Sequence, residues 1–322
     1  MKGVRSAVVL SVATLAMTAM TMMTAAPAHA TFPGTNGLIL FGADLGQGYE
    51  LFTIKANGHQ LHQLTDVTGD ALNADLSPDA SKIVFELDHP NEAGCSVEIM
   101  NADGSGITDL TAVAHPSGWN GCEAQPSFTP DGTHIVFECY DATADIDALC
   151  SMDTSGGDRK VIVGGPGFGA TDPNVSPDGT KVSFVEYNGQ DLGQALSVVN
   201  MDGSHLRRVV PFSADVAIKQ DWSPDGKRLV FTDNADNTAE AANVATVRVD
   251  GTDLRYLTHF TNPDMRAYTG SYSPDGDWIV FRLEDHGRYG LYRMHPDGSA
   301  RTPIMPLSDF KPRFIDWGSA PS

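Results

Sequence analysis

Apolar residues in this chain fall in short runs, the clearest of which close on phenylalanine after a polar turn. The phrases are L-S-P-D-A-S-K-I-V-F (76–85), F-T-P-D-G-T-H-I-V-F (128–137), V-S-P-D-G-T-K-V-S-F (175–184), W-S-P-D-G-K-R-L-V-F (222–231) and Y-S-P-D-G-D-W-I-V-F (272–281). Proline presets φ for the second position of a type I turn, Ser and Asp bond nearby amides, and Gly accepts the left-handed position that completes the hairpin. Each phrase therefore predicts a strand, a tight turn and a second strand. The run ending in Phe85, Phe137, Phe184, Phe231 or Phe281 suits a strand covered on both faces. Ala80 stands where the other copies have Gly, which costs about 1 kcal/mol if that residue is left-handed.

A second phrase follows each first one after a variable loop: L-F-T-I-K-A-N-G (51–58), V-E-I-M-N-A-D-G (97–104), L-C-S-M-D-T-S-G (149–156), L-S-V-V-N-M-D-G (196–203), V-A-T-V-R-V-D-G (244–251) and L-Y-R-M-H-P-D-G (291–298). Two hairpins per unit make four strands, and the closing phenylalanines recur every 47 to 52 residues, the spacing of a propeller blade. The sixth copy of the first phrase is split. Phe314-Ile315-Asp316-Trp317-Gly318 matches Gln220-Asp221-Trp222-Ser223 before a turn, and Asn36-Gly37-Leu38-Ile39-Leu40-Phe41 matches the strand after one. One blade completed by both termini closes a ring and removes its free edges, whereas an open solenoid carries caps. The fold class is all-β: a six-bladed β-propeller of four-stranded blades, one domain over residues 31–322, closed by a blade shared between the N- and C-termini.

This S-P-D-G-x-x-I-x-F repeat resembles that of the TolB-like propellers, which are related to WD-repeat propellers but lack their Trp-Asp ending. The resemblance covers about residues 32–318. It implies the propeller fold and leaves function open, because such repeats occur in exported binding proteins, in TolB and in propeller domains beside serine peptidases. TolB carries an additional α/β domain and the peptidases an α/β-hydrolase domain; this chain is expected to have room for neither.

The first 30 residues read as a leader rather than as fold: Lys2 and Arg5 precede an apolar stretch from Ala7 to Met23, and Ala28-His29-Ala30 offers a small-x-small cleavage site. Thr14, Thr18, Thr21 and Thr24 interrupt the stretch, against a stable membrane anchor. Cleavage near Ala30 implies a secreted or periplasmic protein. The formal charge of −20 disfavours nucleic acid and anionic lipid as partners. Four cysteines without paired C-x-x-C spacing suggest disulfides in such a compartment. Three pairings exist, and placement on the propeller favours Cys95 with Cys122 and Cys139 with Cys150.

The chain has no G-x-S-x-G, H-E-x-x-H or D-x-D-x-D-G motif. Candidate chemistry comes instead from the strand before each turn, the innermost of its blade. Alternation assigns Leu76, Phe128, Val175, Trp222, Tyr272 and Trp317 to the core, and points Asn73, Asp75, Gln125, Ser127, Asp172, Asn174, Lys219, Asp221, Thr269, Ser271 and Asp316 at the central channel. That lining holds four aspartates against one lysine. Either the channel is simply water-filled, or Asp75, Asp172, Asp221 and Asp316 bind calcium or another divalent cation. The variable loops, among them the acidic segments 141–147 and 233–237 and the aromatic Trp119, supply a second candidate surface on the cysteine-bearing face. The leading expectation is a monomeric, non-catalytic, cofactor-free scaffold for a protein, peptide or envelope ligand. The alternative is a propeller hydrolase or lyase using a channel metal.

Overall fold

The structure is a computed structural model that describes residues 32–90, 94–112, 122–141, 146–187, 193–234 and 241–321. The expected leader and its cleavage point lie outside the described residues, as do Trp119 and most of the two acidic loops. Among the described residues no helix is long and apolar enough to cross a membrane.

Six four-stranded antiparallel sheets form the blades, each written here from its innermost strand outward. Blade 2 comprises Asp70–Leu76, Lys82–Asp88, Cys95–Asn101 and Thr108–Asp109. Blade 3 comprises Ala124–Phe128, His134–Asp141, Ile146–Asp153 and Lys160–Gly164. Blades 4, 5 and 6 repeat the pattern from Gly169–Val175, Val216–Trp222 and Met265–Tyr272. Blade 1 is the shared one. Its innermost strand is the C-terminal Arg313–Ser319, paired with the N-terminal Asn36–Asp44 so that Trp317 faces Ile39 and Asp316 faces Leu40.

The predicted turns form as expected. In blade 2 the Ala80 amide donates to the Ser77 carbonyl at 2.8 Å and the Ser81 amide to Asp79 Oδ1 at 3.0 Å. Ala80 takes φ 57°, beside 66° to 75° at Gly132, Gly179, Gly226 and Gly276, so the alanine does occupy a left-handed position. The turns also nest: a Cβ on each of those four glycines would lie 3.5–3.8 Å from the proline of the preceding blade's turn. Stricter demands fall on the glycine closing each second phrase. Gly203, at φ 80°, lies so near the Ile162 carbonyl of the neighbouring blade that any Cβ would collide with it.

Phe41, Phe85, Phe137, Phe184, Phe231 and Phe281 are all fully buried between blades, as are the residues assigned to the core on the innermost strands. Cys95 pairs with Cys122 across a Cα separation of 4.5 Å, tying blade 2 to the strand entering blade 3. Cys139 pairs with Cys150 at 5.9 Å, joining the second and third strands of blade 3.

Candidate functional site

Strict alternation does not survive along the innermost strands. Three residues before each core position the chain turns left-handed, at Asn73, Gln125, Asp172, Lys219 and Phe314, and the pairing register slips there. Thr269, β-branched, occupies the equivalent place in blade 6 without a positive φ, although the register slips there too. The bulge divides the predicted lining into two sets.

The set next to the core position faces the centre. Asp75, Ser127, Asn174, Asp221 and Asp316 enclose a space of about one water molecule, closed from the turn side by Phe32. Their polar atoms reach sideways into the next blade. Asp316 accepts from the Leu76 amide at 3.3 Å, Asp75 from Phe128 at 2.7 Å, and Asp221 from Tyr272 at 2.8 Å and the Ser271 hydroxyl at 2.9 Å. Asn174 donates to the Gln220 carbonyl at 3.4 Å. These contacts staple neighbouring innermost strands by satisfying amides that a bulged strand leaves over.

The bulge residues themselves also bridge blades. Gln125 Oε1 accepts from the Thr171 hydroxyl and the Asp172 amide, and Asp172 accepts from the Lys219 and Gln220 amides at 2.8 and 3.0 Å. Asn73, by contrast, donates within its own blade, to Glu86 Oε2 at 2.7 Å. Lys219 lies among the aspartates: burial works against its charge, but Asp172, Asp316, Asp75 and Asp221 outweigh it and raise its pKa. Burial, and then the charge of Asp316, pushes the Asp75 carboxyl well above the usual range; burial also raises Asp172 and Asp316.

Further contacts between blades come from the residue that follows the closing phenylalanine in blades 2, 3, 5 and 6. Glu86 accepts from the Gln125 amide at 3.2 Å, Glu138 from the Thr171 hydroxyl at 2.7 Å, and Thr232 from the Thr269 amide at 2.8 Å. Arg282 donates to the Pro312 carbonyl at 3.4 Å. Burial is the main cause that lifts Glu86 and Glu138 to about 7, with Asp88 adding to the first and Asp147 and Asp172 to the second. Among the described residues, the one set of three or more possible metal ligands within 4.8 Å of one another is Glu86, Asp88, Cys95 and Cys122. Its two sulfurs are joined in a disulfide, leaving two carboxylates. Asp75, Asp172, Asp221 and Asp316 are not among such sets.

The TolB beta propeller domain family model matches this chain over residues 3–217 and 141–313. The chain belongs to the TolB β-propeller family. TolB from Acinetobacter baumannii is similar in structure with a TM-score of 0.69 at 19% identity, over 88% of this chain and 67% of that one. A putative TolB from Agrobacterium tumefaciens gives 0.63 at 13% identity, over 89% and 99%. Oligogalacturonate lyase from Vibrio parahaemolyticus gives 0.54 at 15% identity, over 86% and 78%. At such identities the likeness is one of fold. No curated protein matches the sequence.

Within this TolB-family ring, alternation along the innermost strands alone does not reveal the inter-blade role of the residue after the phenylalanine in blades 2, 3, 5 and 6. The signal was present as the polar members of one column of the repeat: Glu86, Glu138, Thr232 and Arg282. The staples make a prediction of their own. Asp221→Ala leaves the buried Tyr272 amide without its acceptor and is expected to cost about 2–3 kcal/mol in urea unfolding. Asp221→Asn, which keeps an acceptor, is expected to recover most of that loss. An alanine variant as stable as the parent would show that the staple contributes nothing.

Proposed function

We propose that this chain is an exported, non-catalytic TolB-like propeller that binds a protein or peptide of the cell envelope on the face opposite the Ser-Pro-Asp-Gly turns. The observation that carries this reading is the commitment of the channel side chains to neighbouring blades: Asp75, Asp221 and Asp316 each hold a backbone amide of the next innermost strand. Groups so engaged are poorly placed to coordinate a cation or to take and return protons during turnover. The two disulfides and the leader-like residues 1–30 support export into an oxidising compartment. Cys95–Cys122 braces the proposed face by tying two blades together where the variable segments emerge.

Calorimetric titration of the purified chain with calcium and magnesium, paired with cross-linking in the producing cell's envelope fraction, tests the proposal. The expected result is no cation heat and one saturable protein cross-link from the face bearing Cys95. Stoichiometric metal that is lost in Asp221→Ala together with a hydrolytic or lyase activity would replace the scaffold by an enzyme.

A further inference from the structure

The protein carries 41 acidic residues against 21 lysines and arginines, yet four of its cations gather where the chain passes from blade 6 into blade 1. Arg282 donates to the carbonyl of Pro312, the residue between Lys311 and Arg313 in the chain. Lys311 is pressed by burial and then by the charges of Arg282, Arg313 and Arg266, which hold its ammonium below the usual range; Glu284 is the opposing carboxylate. That carboxylate approaches Arg282 no closer than 4.0 Å. Three of the cations rest on tyrosine faces instead: Arg282 lies 4.2 Å from the Tyr268 ring centroid, Lys311 Nζ 4.4 Å from Tyr289 and Arg313 5.8 Å from Tyr49.

A purely structural account covers part of this. At the equivalent position in blades 2 and 3 a glutamate accepts from the Gln125 amide and the Thr171 hydroxyl of the incoming strand, whereas Arg282 donates to the Pro312 carbonyl. That explains one nitrogen of Arg282. It does not explain why Arg282 Nε is buried with no acceptor, or why Lys311 and Arg313 are brought in beside it. The Arg282 side chain is only 9% exposed, so its charge and its spare donor are expensive to leave unmatched.

We infer that Arg282, Lys311 and Arg313, floored by Tyr49, Tyr268 and Tyr289, form a binding site for a carboxylate carried by a peptide ligand. Planar guanidinium groups match a carboxylate in a two-point hydrogen bond, and half-buried Lys311 and Arg313 leave the cluster open to solvent on one side. The net charge of −20 selects among anions. Screening confines the local positive field to about 8–10 Å, so a long polyanion is repelled by the rest of the surface while a single carboxylate is accepted. The peptide character of the ligand rests on the function proposed above; the anion site rests on the cluster alone.

Calorimetry with an acetylated, C-terminally amidated tri-glutamate peptide, against acetylated, C-terminally amidated tri-glutamine and inorganic phosphate at matched ionic strength, tests the assignment. The glutamate peptide is expected to bind, to weaken steeply with added salt, and to lose about tenfold in affinity in Lys311→Gln and in Arg282→Lys. Lys311→Gln removes a half-exposed charge and is expected to melt with the parent, which separates lost binding from lost folding. Equal binding of phosphate overturns the carboxylate assignment, and equal binding of tri-glutamine overturns the anion site. No binding by the glutamate peptide, in a protein that still forms its envelope cross-link, overturns this inference and leaves the proposed function standing.

Discussion

Deleting residues 313–322 is expected to abolish cooperative folding, because those residues include the innermost strand of blade 1. The strand buries Ile315 and Trp317 completely against Ile39, Phe41 and the blade 6 core. Asp316 supplies the acceptor for the Leu76 amide, and the backbone at Gly318 approaches Leu76 so closely that a Cβ there would clash. Trp317→Ala alone is expected to cost about 3–5 kcal/mol, a large share of the roughly 5–15 kcal/mol that holds a domain folded. Removing the whole strand also uncovers both edges of the ring, the row of amides on Asn36–Asp44 and the flank of blade 6. Circular dichroism during a urea titration checks both variants. An intact midpoint in the truncated chain would mean that the ring is not closed through this blade; recovery of the midpoint on adding the peptide 313–319 would confirm that the strand acts by pairing.

Stability is expected to rise on acidification from pH 7.5 to pH 5, unlike that of most acidic domains. Glu86 and Glu138 ionise at about 7 in the folded protein against 4.5 when free. Between those values the folded state holds protons that the unfolded chain has released, so stability falls as pH climbs through the window and levels off above it. Each shift corresponds to roughly 3 kcal/mol as an upper figure. The turn aspartates act with the opposite sign. Hydroxyl and amide donors in the turns hold Asp79, Asp131, Asp178 and Asp225 below the ordinary aspartate value of 3.8, so their contribution is complete above that value and is lost below it. The thermal midpoint should therefore peak near pH 4–5. Glu86→Gln with Glu138→Gln should raise it at pH 7.5 and flatten the slope between pH 5 and 7. A double variant with the parent's slope would assign the pH dependence to other groups.

How far the site could be read from sequence depended on whether a residue's conformation was settled by its neighbours in the chain. Leu76, Phe128, Val175, Trp222, Tyr272 and Trp317 were assigned to the core by counting back from a turn, and all are buried. The count of alternation failed three residues earlier, at the bulges. Gln125, Lys219 and Phe314 are not residues that favour a left-handed conformation, and nothing in their local sequence announces one. Their geometry is over-determined by the next blade, as when Asp172 clasps the amides of Lys219 and Gln220. The polar lining foreseen as one ring is consequently two, one of staples around the centre and one of bulge residues bridging blades.

The sequence by itself determined the number of blades, the place of every hairpin, the split of blade 1 between the termini and the preferred disulfide pairing. Each is encoded within a phrase of about ten residues by turn chemistry and apolar runs, or by counting such phrases. The tertiary structure alone decided which polar side chains meet. The carboxylates of Glu86 and Glu138 and the cations Arg282, Lys311 and Arg313 acquire their properties from groups on other strands and blades. Electrostatic energy depends on distance and burial, and both are fixed only when the ring closes.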